Sequence, residues 1–149
     1  MTNRFPLLRL PQDAHKSVLR SMEPLKLIFL SFSSNRAKSL VASINMKSQV
    51  TATISNILTI NATVVEQLFQ FQFYYHEVEN GVIPIKMATP GIVYFIYTIK
   101  GEAIRYVIPK VMDIPSWFSH IKAIFNCSKI VRLHFFGDVG NFDLDSIRD

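Results

Sequence analysis

The sequence predicts an α+β fold: three short amino-terminal helices, then a mainly antiparallel β-sheet that carries one packed helix. Three observations predict it. Apolar spacing changes from helical to alternating near residue 46, the net charge sits on the first third, and aromatic residues outnumber glycines. Of 149 residues, 49% are hydrophobic and 18% charged, ample material for a core and too apolar for a disordered chain. Twelve Phe and five Tyr stand against five Gly, a composition that suits packed strands. Residues 1–45 hold seven basic and two acidic side chains and the remainder nine of each, so the whole net charge of +5 lies on the head. A basic head on a neutral body suits an acidic partner, either nucleic acid or an acidic protein surface.

The head reads as three helices. Pro11 suits the first helical position, because its missing N–H has no partner there in any case. Leu10, Ala14, Val18, Leu19 and Met22 then form one apolar stripe, which predicts a helix from Pro11 to about Met22. Glu23-Pro24 ends it, since the proline ring disfavours helical geometry at the residue before. Pro24 opens a second helix, Leu25 to about Phe32, apolar on nearly every side. Ser33-Ser34 supplies a cap for a third, Asn35 to about Ile44, with Ala37, Leu40, Val41 and Ile44 turned inward. Helices this short bury little area, and segments of about 40 residues rarely stand alone. The missing cover is expected from another protein chain.

The body reads as strands. Val50, Ala52, Ile54, Ile57, Leu58 and Ile60 alternate loosely with polar residues, as a half-buried strand does. Leu68 to Tyr75 places Phe69, Phe71 and Phe73 on one face. Asn80-Gly81 is a strong hairpin signal, with Val82 to Met87 expected as the returning strand. Ile92 to Ile99, a tight turn at Lys100-Gly101-Glu102 and Ala103 to Ile108 predict a second hairpin. Pro115 opens a helix to about Cys127 with Trp117, Phe118, Ile121, Ile124 and Phe125 on one side, and Ile130 to Phe136 is the final strand.

The run Leu10-Pro11, Val18-Leu19, Met22, Glu23-Pro24, Leu27-Ile28 and Leu30-Ser31-Phe32 resembles the F-box motif, without a gap. FPLLRLP near the start and LSFSSNRAKSLV after it are similar to the large nematode family of F-box proteins, over about residues 5–45. Ala37 stands where many F-boxes carry Trp, and His15 where an aliphatic residue is usual. Trp117, Ser119-His120-Ile121, Ile124-Phe125, Cys127 and Phe142-Asp-Leu-Asp-Ser-Ile147 resemble the opening of that family's F-box-associated domain, from about residue 113 onward. The resemblance implies an F-box at 1–45 and a partial associated domain at 46–149. In relatives that domain continues further, so the chain is expected to be a shortened member or an incomplete gene product.

What the resemblance implies about function is specific. F-box proteins are substrate-recognition subunits of cullin-RING ubiquitin ligases, and the F-box docks on a small acidic Skp-type adaptor tied to the cullin. Carried over by position, Leu10 and Pro11 enter the adaptor's groove. Leu8, Pro24, Leu25 and Leu27 extend the apolar contact, and Arg36 and Ser39 lie on the exposed side of the third helix. Val18, Leu19, Met22 and Leu30 hold the helices together. The partners implied are the adaptor, through it a cullin, and an unidentified protein substrate.

Other chemistries are disfavoured. Cys127 is the sole cysteine, which excludes a disulfide framework or a cysteine-based zinc cage within the chain. His15, His76, His120 and His134 show no metal-binding spacing, and His120 is expected as a partly buried, hydrogen-bonded side chain. Asp138, Asp143 and Asp145 lack the calcium-loop pattern and are expected at a turn and a helix cap. No Gly-rich phosphate loop or nucleophile elbow is present, so no catalytic residue, metal or cofactor is expected. The amino terminus lacks the unbroken apolar run of a signal peptide, and Ile92 to Tyr97 is far short of the roughly 20 residues that span a bilayer. A soluble intracellular protein, cytoplasmic or nuclear, is expected, with the sequons at Asn61 and Asn126 as chance matches. The alternative function is a small basic nucleic-acid-binding protein. Phe71, Phe73, Tyr75, Tyr94 and Tyr97 offer it a stacking platform, but the positive charge lies on the head, away from them.

Overall fold

The structure is a computed structural model, and it describes residues 10–55, 57–75, 83–84, 89–127, 131–135 and 142–143. Its helical head consists of α1 (Gln12–Ser21), α2 (Pro24–Ser31) and α3 (Asn35–Ala42). Each boundary has a local cause. The Pro11 carbonyl accepts the His15 N–H at 3.0 Å, Glu23 precedes α2 with extended backbone and Pro24 follows at its first turn, and the Ser34 hydroxyl accepts the Ala37 N–H at 3.1 Å. Leu19, Ala37 and Val41 are fully buried between the helices.

The body follows as β1 (Gln49–Ile54), β2 (Leu58–Val64), β3 (Gln67–Tyr74), β4 (Ile83–Pro84), β5 (Ile92–Ile99), β6 (Glu102–Ile108), α4 (Ile114–Ile124), β7 (Arg132–Phe135) and β8 (Phe142–Asp143). Six strands form one sheet in the order β6-β5-β3-β2-β1-β7. All its pairs are antiparallel except β1 with β7, which run parallel. The fold is α+β, as the sequence predicts.

Alternation along the strands decides which face is buried. Val50, Ala52, Ile54, Leu58, Ile60, Ala62, Phe69, Phe71, Phe73, Val93 and Phe95 all point into the core. Thr51, Thr53, Thr59, Asn61, Gln70 and Gln72 occupy the other face, where Gln70 donates to Asn61 at 2.8 Å across the β2–β3 ladder. Trp117, Ile121, Ile124 and Phe125 of the α4 segment lie fully buried against the apolar face. Each aromatic side chain removed from water there contributes about 1.5–3 kcal/mol.

Three expectations are corrected. The alternating stretch from Val50 to Ile60 is two strands, β1 and β2, because Ser55 turns the chain: its N–H donates to the Ile57 carbonyl at 3.1 Å. The Asn80-Gly81 turn lies outside the described residues, but the returning strand expected beside β3 is replaced by β5, in register from Leu68↔Thr98 to Tyr74↔Ile92. Pro84 has no N–H for a ladder, and β4 pairs instead in parallel with β8. Asp143, expected at a turn or cap, lies in β8, whereas Asp138 and Asp145 fall outside the described residues.

The head, finally, is covered by its own body. Leu19, Leu27, Ile28 and Val41 belong to the same core cluster as the sheet and α4. Phe29 meets Phe95 and Tyr106 edge-on with centroids at 5.6 and 5.1 Å, and Phe32 packs on Trp117 at 5.5 Å. The cover that the head needs therefore comes in large part from within the chain.

Candidate functional site

Of the eight side chains assigned to docking, seven lie within the described residues, and Leu8 falls outside them. Leu10 and Pro11 stand at the start of α1, Leu10 half-buried and Pro11 exposed. Pro24 and Leu25 open α2 and are half-buried, Leu25 with its side chain against the core. Leu27, one turn on, is only 3% exposed and belongs to that core. Arg36 and Ser39 are exposed on α3, and the Ser39 hydroxyl donates to the Asn35 carbonyl at 3.0 Å. The structure thus leaves the start of α1, the start of α2 and the outer side of α3 accessible, and turns Leu27 inward.

Three of the four helix-holding residues fit their expected place, whereas Val18 is half-buried outside the core cluster. Leu19 is fully buried, and Met22 and Leu30 pack on the core at half exposure. His15 joins Leu19 on the inward side of α1 at 4% exposure, and its Nε2 has no hydrogen-bond partner among the described residues. Exposed charge on the head is mainly positive: Arg20, Lys26 and Arg36 stand in solvent beside Asp13 and Glu23. Lys26 pairs with Glu23 at 3.3 Å, an exposed contact worth at most about 1 kcal/mol.

A second arrangement joins the head to the body. The Ser31 hydroxyl donates to the Ile28 carbonyl at 2.6 Å and lies 2.9 Å from His120 Nε2. With its proton committed to Ile28, Ser31 Oγ receives the Nε2 proton of His120. The imidazole stacks on Phe32 with centroids 4.6 Å apart. Burial, then Lys110, then Lys38 push the His120 pKa down to about 4, so the ring is neutral at pH 7. Ser48 donates to the Phe125 carbonyl at 2.9 Å, and Asn126 Nδ2 donates to Asn45 Oδ1.

The Ser31–His120 pair has the residue types of a nucleophile and base, but its protons run the wrong way and Ser31 is 1% exposed. It is a structural tie. The expectation of a hydrogen-bonded, buried His120 holds; its partner, 89 positions away, is not readable from local spacing. Ser31 is a polar residue at the end of a largely apolar helix, and nothing local marks its distant partner. Among the described residues no group of three or more His, Cys, Asp or Glu side chains is placed to hold a metal ion. No helix among them is long and apolar enough to cross a membrane.

The aromatic platform divides between faces. Phe71 and Phe73 are fully buried and pack on Trp117 at 6.2 and 5.5 Å. Tyr94 lies half-buried under the Arg105 guanidinium, 3.5 Å from the ring centroid. The Phe rings are core, out of reach of any base.

No curated protein and no solved structure matches the chain. The F-box domain family matches residues 7–49, a span that holds α1, α2 and α3 and ends at the first residue of β1. That match, over a head built of three short helices, supports an F-box protein, and with it a general ubiquitin-ligase adaptor role through a Skp-type partner.

Proposed function

We propose that this chain is the substrate-recognition subunit of a cullin-RING ubiquitin ligase, held to the complex by a Skp-type adaptor on its helical head. It brings a target to ubiquitin transfer and catalyses nothing itself. The F-box match over residues 7–49 carries this reading. The charge of the head supports it: all the net positive charge of the chain lies there, which suits an acidic adaptor.

On this reading Leu10 and Pro11 enter the adaptor's groove, Leu8, Pro24 and Leu25 extend the apolar contact, and Arg36 and Ser39 border it. Leu27 contributes from behind, by anchoring α2 in the core. Residues 46–149 serve as the target-binding part, and their likeness to the nematode F-box-associated domain from about residue 113 supports that assignment. The protein then works inside the cell, in cytoplasm or nucleus. The nucleic-acid reading loses support because Phe71 and Phe73 of the aromatic platform are core.

Co-expression with a Skp-type adaptor tests the proposal. The full chain is expected to co-purify with the adaptor at one-to-one stoichiometry, and the double variant Leu10→Ala, Pro11→Ala to lose at least tenfold in affinity. Undiminished binding by the variant overturns the contact assignment. Absence of any complex with the wild-type chain overturns the adaptor role.

A further inference from the structure

Between head and body lies a cleft of about 410 Å³. Asn35 and Lys38 of α3 form one wall, Lys110 after β6 another, and Ser116, Ser119 and His120 of α4 the third. Among the described residues no carboxylate lines it. The neighbouring Asp113 caps α4: it accepts the N–H of the lining residue Ser116 at 2.8 Å and bonds the Ser116 side chain as well.

Two lysines therefore line one opening. Lys110 donates to the Phe32 carbonyl at 3.4 Å, a neutral acceptor that leaves its charge in place. Both lysines act on the same imidazole, that of His120, so their fields converge on the cleft. Like charges facing one cavity repel, and a dianion placed between them turns that repulsion into attraction. Lysine is a compact point charge suited to phosphate oxygens. The Ser119 hydroxyl and the Asn35 amide add donors of the kind a phosphate accepts from.

We propose that this cleft binds a small phosphate-bearing dianion, either inorganic phosphate or an organic phosphate monoester, and that the bound dianion clamps α3 of the head to α4 of the body. The cleft borders the outer side of α3, where the Asn35 carbonyl accepts from Ser39, and its anion chemistry does not depend on the adaptor reading.

Calorimetric titration of the full chain with inorganic phosphate and with glycerol phosphate, at ionic strength fixed by sodium chloride, tests it. Saturable binding is expected, weakened about tenfold or more in Lys38→Gln and several-fold in Ser119→Ala. Equal affinities assign the site to free phosphate, and tighter binding of glycerol phosphate assigns it to a monoester. An independent readout is the His120 imidazole NMR titration. Its midpoint is expected to rise from about 4 when bound phosphate, a monoanion at that pH, offsets part of the lysine fields. Non-saturating heats with wild-type protein overturn the proposal, as does equal binding by a folded Lys38→Gln variant. A saturated complex with an unmoved His120 midpoint also overturns it.

Discussion

His15 and His120 are both buried imidazoles, and their surroundings give them opposite value. His120 is tied to Ser31 at 2.9 Å and stacked on Phe32, so its polar edge is satisfied and it joins head to body. His15 buries an Nε2 with no partner among the described residues, which costs about 1–3 kcal/mol of desolvation without return. Its position is one at which the F-box pattern usually has an aliphatic residue. His15→Leu is therefore expected to raise stability by about 1 kcal/mol in urea denaturation at unchanged m-value; a loss of stability shows that the imidazole is held by contacts of its own. At this scale the sequence was legible wherever the cause is local. The Ser34 cap and the Glu23-Pro24 break follow from side chains acting within four residues. The Ser31–His120 and Asn45–Asn126 pairs join partners about eighty or more positions apart, which no spacing encodes.

Helices and hairpins differ in how plainly the chain announces them. Proline and serine punctuation placed α1, α2 and α3 to within about two residues, and the period-two run of Phe69, Phe71 and Phe73 fixed the buried face of β3. The order of strands was not legible. The β3–β5 pairing competes with a nearer alternative, and it is decided by complementarity over seven residue pairs and by Pro84, not by the turn residues alone. The two tight hairpins make a matched test of backbone conformation. Between β5 and β6, Lys100 and Gly101 have φ of 51° and 84°, left-handed geometry that glycine adopts freely. Between β2 and β3, Val65 is held at φ 56°, where a β-branched residue is strained. Gly101→Ala is expected to cost about 1 kcal/mol, although nothing lies within 4 Å of the added methyl. Val65→Gly is expected to stabilise by roughly 0.5–1 kcal/mol, since the relief of strain exceeds the added chain entropy. Urea midpoints of the two variants check both signs.

Over the whole molecule, α2, α3 and α4 share one core with the sheet, which changes the meaning of a thin helical head. Its buried side is closed by the body, and what it leaves open is the start of α1, the start of α2 and the outer side of α3. Trp117 reports this union directly. The sole tryptophan touches Phe32 of the head and Phe71 and Phe73 of the sheet. Its fluorescence and the far-ultraviolet circular dichroism are expected to change at the same denaturant concentration, in one transition; an earlier loss of helical signal means that the head unfolds separately. The basic, accessible remainder of the head is then the surface left for a partner. The central claim is that a Skp-type adaptor occupies that surface without disturbing the shared core. Hydrogen exchange of the full chain with and without the adaptor tests this most directly. The account predicts new protection at the start of α1, the start of α2 and the outer side of α3, with β3 and β5 unchanged. Protection confined to the sheet, or no change anywhere at saturating adaptor, contradicts it.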